Sequence, residues 1–271
     1  MPDHLTASLI VALIGGIVDL DSTAVVQCMI SQPAVVAPLT GLILGAMVGD
    51  AETGLRLGLM VSVILQLAWI EQLPLGMNVP PDATMASVLS VALGFFAGKQ
   101  YEYYADRQVC YTVAIIVAVG LGLLGRGLDM FVRRINTNVD SWVNSRIEEN
   151  DFKAISLGHL AGGVITFTKA FIFCFLVAWF GVEPLKLFTD MLSYSQNGGF
   201  IVLQGLLPAV GFAVLASMCL KNKDDIKYFI VGILMFTVIP SMVLVPLAAC
   251  FVVMYRYYKQ RAKAPKKKVA K

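Results

Sequence analysis

Apolar segments that approach the length of a bilayer span recur along the whole chain, and few charges interrupt them. A helix needs about 20 mostly apolar residues to cross the hydrocarbon core of a membrane. Only 14% of the 271 residues are charged, whereas a soluble domain carries about 25%. We therefore predict an all-α polytopic membrane protein, because a backbone in lipid must satisfy its own hydrogen bonds. The same composition argues against a soluble enzyme, a coiled coil or a disordered chain. The predicted runs cover residues 5–18, 34–48, 55–70, 83–98, 109–124, 160–182, 200–220 and 226–258.

The two halves of the chain differ in how these runs are broken. The N-terminal half has short runs separated by Gly, Pro and acidic residues, and the C-terminal half has longer spans. Irregular backbone at membrane depth is tolerated where it is buried in protein or lines a cavity. Short, interrupted helices of this kind point to the substrate site of a transporter. We predict broken helices and re-entrant segments, with the site in residues 15–90; the alternative is that the breaks are surface loops.

Charge is concentrated in two places. The hydrophilic stretch 126–153 has five basic and five acidic residues, which predicts an amphipathic or extramembrane helix. Residues 256–271 contain eight basic residues and no acidic one, and such flanks are typical of the cytoplasmic side. We predict a membrane domain over 1–258 and a basic cytoplasmic tail over 259–271. The tail is expected to contact anionic lipid rather than nucleic acid.

Motifs for soluble catalysis are absent from the sequence. There is no phosphate-binding glycine loop, nucleophile elbow or zinc motif, and the five cysteines are scattered, without metal-ligand spacing. We expect no catalytic residue, no cofactor and no metal. Nor does any predicted helix show a cluster of carboxylates or basic residues, so no ion site of the pump type is expected.

Polar side chains around the broken segments remain as candidates for ligand binding. Carboxylates and amides pair with sugar hydroxyls, and an aromatic ring such as that of Trp69 packs on the apolar face of a sugar. Asp82 follows two prolines and precedes an apolar run, so it also suits a helix N-cap, as does Asp50 after Gly49. The candidates are Asp19, Asp21, Gln27, Gln32, Gln66, Glu71, Gln72, Asn78 and Asp82.

Three segments resemble a known membrane family. They are residues 20–33, residues 41–54 with Gly49-Asp50 and Thr53-Gly54, and residues 66–87 with Pro80-Pro81-Asp82-Ala83. Together they resemble the IIC subunit of the mannose–fructose–sorbose family of the bacterial phosphoenolpyruvate-dependent sugar phosphotransferase system. The motifs cover about residues 15–90. The chain departs from the family pattern at Gln32, where many relatives carry arginine, and at Glu71-Gln72.

This resemblance implies a permease subunit of the bacterial inner membrane that is not an enzyme on its own. Such a subunit pairs with a IID membrane subunit, in oligomers of IIC–IID units, and moves a hexose or amino sugar by an elevator-like motion. Soluble IIA and IIB domains carry the phosphate in that family. The family motifs cover the same stretch as the polar candidates of the broken segments, and from these we predict substrate binding by Asp21, Gln27, Gln66, Glu71, Asn78 and Asp82. The alternatives are an ABC-type or secondary transporter component and a non-transporting scaffold or sensor.

The basic tail supplies a test of orientation. A cysteine at position 264 (Ala264→Cys) should resist a membrane-impermeant thiol reagent in intact cells and react after lysis, because the positive flank stays in the cytoplasm. Labelling of intact cells would contradict the predicted topology.

Overall fold

In the computed structural model the described residues are 4–23, 27–70, 79–101, 104–193, 197–220, 223–238, 250 and 254. All regular structure within these ranges is helical, and no strand occurs among them, so the predicted all-α class is confirmed. The helices are α1 His4–Thr23, α2 Pro33–Met47, α3 Ala51–Ala68, α4 Ala83–Gly98, α5 Tyr104–Glu148, α6 Lys153–Phe180, α7 Val182–Ser193, α8 Asn197–Cys219 and α9 Lys223–Val238.

Four of these helices are long and apolar enough to cross a membrane. Their spans are His4–Ser22, Ala51–Ala68, Arg107–Glu148 and Lys153–Phe180. Helices α2 and α4 are also apolar but shorter, with 15 and 16 residues. The predicted re-entrant segments and the basic tail lie largely outside the described residues, so they remain predictions, as does the single domain over 1–258. The chain divides into two compact units, Met1–Leu215 and Ala216–Lys271, and everything described below lies within the first.

Helix α5 corrects one expectation from the sequence. The hydrophilic stretch that begins at residue 126 is helical, but it is not a separate helix, because α5 runs without a break for 45 residues. At 1.5 Å per residue its length is about 67 Å. No proline lies within α5, so the helix continues where its residues change from apolar to polar. The chain turns at Asn150, where φ is 64°, and returns as α6.

The returning helix packs antiparallel against the distal half of α5. Gly158 of α6 lies against Val143, Gly162 lies beside Asn136, and Lys169 meets Asp129. The α5 partners are spaced seven residues apart, as in helices that cross at a shallow angle. The two glycines of α6 keep the pair close and leave space beside it.

Helix α4 occupies the centre of the bundle. Fourteen of its 16 residues are buried, with α1, α2, α3, α5, α6 and α7 around it. A helix that is apolar on all sides requires such surroundings. Its first turn is capped as predicted: the Asp82 carboxylate accepts a hydrogen bond from the Met85 N–H at 2.9 Å. The Asp82 N–H donates to the Gly122 carbonyl of α5 at 2.9 Å, so the N-terminus of α4 is fixed against α5.

Helices α2 and α3 form a hairpin with direct backbone contact. Gly49, at φ 75°, ends α2, and the Asp50 carboxylate caps α3 by accepting from the Thr53 N–H at 3.3 Å. Gly41 of α2 then lies against the Gly54 carbonyl of α3 so closely that a Cβ on either glycine would overlap the other backbone. Small residues at four-residue spacing permit this approach between membrane helices.

This close approach predicts a large penalty for a small substitution. Gly41→Ala should lower the melting temperature of the purified protein, since the added methyl forces the helices apart at a cost of about 1–3 kcal/mol. Gly120→Ala, at a glycine of α5 with open space around it, is the matched control and should leave the melting temperature unchanged. Equal melting temperatures for the two variants, measured by fluorescence-detected size-exclusion chromatography, would contradict the packing.

Candidate functional site

A buried lysine joins three carboxylates in the interior of the bundle. Lys169 lies in the apolar helix α6, and its side chain is 6% exposed. Its ammonium Nζ is 2.5 Å from Asp129 Oδ1, 2.8 Å from Asp19 Oδ2 and 3.5 Å from Asp82 Oδ2. The carboxylates come from α5, from α1 and from the N-cap of α4. We call these four residues the charge cluster.

The charge cluster has more negative than positive groups. With all four ionised it would carry one positive and three negative charges. The Asp19 and Asp82 side chains are only 4% and 3% exposed, and apart from the Lys169 ammonium their Oδ2 atoms have no donor among the described residues. Their burial is therefore offset mainly by attraction to Lys169. Removing one partner of a buried ion pair is costly, because it leaves an uncompensated charge in a low dielectric.

From the sequence we found no cluster of ionisable residues on any one predicted helix, and we missed the cluster that four helices form together. Asp19 and Asp82 were among the sequence candidates, but Lys169 and Asp129 were not. The members are up to 150 residues apart in the chain, so only the packing of α1, α4, α5 and α6 brings them together. One signal was available in the sequence: Lys169 is the only charged residue in α6 after its first residue, and an ionisable group inside an apolar span requires a partner.

Two cavities open beside the charge cluster. The smaller, of about 110 Å³, is lined by the three carboxylates together with Gln32, Gln66 and Trp69. We call it the carboxylate–amide cavity. The larger, of about 560 Å³, lies between the distal half of α5 and the first half of α6, and we call it the α5–α6 cavity. Ser22, Asp129 and Arg133 line both, so the two cavities adjoin.

The amides of the smaller cavity hold α3 to the start of α2. Gln66 Oε1 accepts a hydrogen bond from the Ala34 N–H at 3.1 Å, and Gln66 Nε2 donates to Gln32 Oε1 at 3.3 Å. Across the cavity, the Thr84 hydroxyl donates to the Ser31 carbonyl at 3.1 Å and ties α4 to the same segment. The polar groups are therefore positioned by three different helices before any ligand arrives.

The family model for the sorbose-specific IIC component of the phosphotransferase system matches residues 5–255. The chain belongs to this family. It is a membrane-embedded permease component, and thus a transporter subunit rather than an enzyme. This assignment decides against the ABC-type and secondary transporters that the sequence alone had left open.

Individual relatives and solved structures agree with this assignment. The chain is 26% identical over 259 residues to the fructose permease IIC component of Bacillus subtilis (strain 168), covering 94% of this chain and 87% of that protein. It is 27% identical over 221 residues to the N-acetylgalactosamine permease IIC component 1 of Escherichia coli (strain K12), covering 80% and 74%.

Two solved structures share the fold over 96% of both chains. One is described as a membrane protein, with a TM-score of 0.68 and 22% identity. The other is the mannose transporter ManYZ in complex with microcin E492, with a TM-score of 0.52 and 21% identity.

The structure brings two of the six predicted substrate-binding residues to the carboxylate–amide cavity of this IIC chain: Gln66 and Asp82. Asp21 does not line it; the Asp21 carboxylate accepts from the backbone N–H groups of Cys28 at 2.6 Å and Ser31 at 3.0 Å, which holds the turn that carries Ser31. Gln27 is exposed, at φ 54°, and does not line it either. Glu71 and Asn78 lie outside the described residues. A sugar-contacting role remains a prediction for all six.

The charge cluster predicts a pattern of coupled stabilities. Lys169→Met should destabilise the protein by about 3–5 kcal/mol, since three carboxylates lose their shared cation. Asp19→Asn in the Lys169→Met background should restore part of the melting temperature by removing one buried negative charge. Lys186→Met is the control: among the described residues Lys186 forms an ion pair only with the exposed Glu183, at 3.8 Å, so this substitution should cost less than about 1 kcal/mol. Strict additivity of the Lys169 and Asp19 changes would contradict the assigned contact.

Proposed function

We propose that this IIC chain binds a hexose or amino sugar and moves it across the bacterial inner membrane, where soluble IIA and IIB domains of the same system phosphorylate it. The observation that carries the proposal is the carboxylate–amide cavity. Three carboxylates, two amides and an indole ring line this cavity. The chain that contains it belongs to a family of sugar permease components. This donor and acceptor set matches the hydroxyl groups of a neutral sugar.

Each wall of the cavity has a separate task in this proposal. Among the described residues the buried Asp82 Oδ2 atom has no donor besides the Lys169 ammonium at 3.5 Å, and a sugar hydroxyl would supply a second one. Gln66 and Gln32 offer further amide donors and acceptors, which fix orientation. The ring of Trp69 offers an apolar surface for the face of the sugar. Polar groups that are positioned in advance reduce the entropy lost on binding.

The relatives support the substrate class and the partners. Their names refer to fructose, N-acetylgalactosamine and mannose, so the proposal is for hexoses and amino sugars as a class. One solved relative is the mannose transporter ManYZ, and we propose that this chain likewise works with a IID membrane subunit, in oligomers of IIC–IID units. We propose a cytoplasmic C-terminus, with the basic tail against anionic lipid.

The proposal is tested by uptake and phosphorylation of labelled sugars in vesicles that contain this chain. Vesicles with IID, IIA and IIB should accumulate the phosphate of at least one sugar among mannose, fructose, sorbose and N-acetylgalactosamine. Omitting IIA and IIB should abolish sugar phosphate formation, because this chain is no enzyme on its own. Absence of both sugar binding and uptake in the complete system would favour the scaffold or sensor alternative.

Gln66 is the sharpest single test of the cavity. Gln66→Ala should weaken sugar binding by about 1–3 kcal/mol, since a sugar hydroxyl loses its amide partner, and membrane insertion should stay normal. Gln100→Ala is the matched control, because Gln100 follows the opposite end of α4 and lines a different cavity. Binding is measured by titration calorimetry on the reconstituted complex. If Gln66→Ala binds the sugar with wild-type affinity, Gln66 is not a sugar-binding residue.

A further inference from the structure

We propose that the α5–α6 cavity binds the phosphoryl group of the phosphorylated sugar, with Arg133 as its main ligand. The inference rests on the proposed function, because it concerns the product of phosphorylation. It assigns no chemical step to this chain: the transfer belongs to the phosphocarrier domain, and the cavity receives the anion that results. The ligand class is therefore a sugar monophosphate.

The position of Arg133 is the first argument. It lines both the carboxylate–amide cavity and the α5–α6 cavity, so its side chain is shared by the two. Among the described residues it forms no ion pair within 4.0 Å, although Asp129 lies one turn before it on α5. The carboxylate of Asp129 instead contacts Lys169 at 2.5 Å. The guanidinium is thus available to an external anion, and its planar set of donors matches two phosphate oxygens at once.

The charge cluster supplies the second argument. A sugar monophosphate carries a charge of about −1.5 to −2 near neutral pH. Three carboxylates line the carboxylate–amide cavity, and the ammonium of Lys169 and the guanidinium of Arg133 offset only two of the three charges. A phosphoryl group would be repelled there, whereas the neutral ring would not. The larger cavity, which Arg133 also lines, has two carboxylates instead of three: Asp129, which contacts Lys169, and Asp140, which lies two turns further along α5, about 10 Å from Arg133.

The remaining polar walls of the larger cavity suit an anion with several oxygens. The Asn136 Oδ1 atom is buried and has no hydrogen-bond partner within the described part of the chain, so the amide can turn its NH2 group into the cavity. His159 of α6 faces the same space from the opposite wall. Gly162 and Gly163 line the cavity on the α6 side and leave room for a ligand between the helices.

The test compares a sugar with its phosphate on the same protein. The full chain, copurified with its IID partner and placed in lipid nanodiscs, is titrated with mannose, fructose and their 6-phosphates, and with inorganic phosphate as a probe without a ring. Arg133→Gln should lower the affinity for the 6-phosphates by about tenfold, the loss typical of a charge-assisted contact. The affinity for the unphosphorylated sugars should fall by a clearly smaller factor, because a neutral hydroxyl makes no charge-assisted contact with the guanidinium.

Three further variants make the result specific. Arg134→Gln is the matched control, because Arg134 is the neighbouring exposed arginine and lines neither cavity; it should bind both ligands normally. Arg133→Lys should fall between wild type and Arg133→Gln, since a lysine cannot pair with two oxygens in the same plane. Asn136→Asp, which adds a negative charge to the cavity, should weaken binding of the 6-phosphates even if Arg133→Gln fails to fold.

The outcomes separate the two proposals. Sugar binding by wild type, with binding of the 6-phosphates unaffected by Arg133→Gln and Asn136→Asp, would contradict only the inference about Arg133. An equal loss in Arg134→Gln would also contradict it, because it would show attraction by surface charge in general. Failure of wild type to bind the 6-phosphates contradicts it as well, whereas failure of wild type to bind any sugar contradicts the proposed function.

Discussion

The packing of helices in the interior of this permease component depends on the contacts of one ammonium group, that of Lys169. It contacts carboxylates from α1, α4 and α5 while its own backbone belongs to α6, so one cation joins four helices. A buried ion pair is weak evidence for stability, because desolvation offsets much of the attraction. Its value here is specificity: only one arrangement of the four helices gives all three carboxylates access to the same cation. The wall of the carboxylate–amide cavity is made by that arrangement.

Asp82 shows how the fold and the site use the same residue. Its carboxylate caps the first turn of α4 through one oxygen and approaches Lys169 through the other. Its backbone N–H is bonded to α5, where Gly122 and Gly125 leave room for it; a Cβ on Gly125 would collide with the Asp82 side chain. A substitution at this position therefore changes a helix cap, the charge cluster and the cavity wall together. To measure these effects separately, a variant must keep one role of Asp82 while removing another.

The sequence predicted those features that depend on residues close together in the chain. Apolar runs identified the spans, and the turn residues Gly49, Asp50 and Asp82 were predicted as caps because a capping side chain acts on the next few backbone amides. Gln66 and Asp82 were chosen from the broken segments and do line one cavity. The charge cluster could not be derived in the same way, since its partners become neighbours only when α1, α4, α5 and α6 pack. The continuity of α5 was missed for a different reason. A change from apolar to polar residues shows that the surroundings of a helix change, but a helix ends only at a helix-breaking or capping residue. No proline lies within α5 to end it.

The length of α5 has a mechanical consequence. The helix is about 67 Å long, more than twice the roughly 30 Å of a hydrocarbon core, and Asp129 divides it into arms of 25 and 19 residues. Asp129 is held by its contact with Lys169. It is therefore the fixed point about which the buried arm and the arm that packs on α6 would rotate. A 10° rotation about that point displaces the Glu148 end by about 5 Å, given the 1.5 Å rise per residue. Small adjustments around the charge cluster are therefore amplified into shifts the size of an atom or more at the far end of the helix.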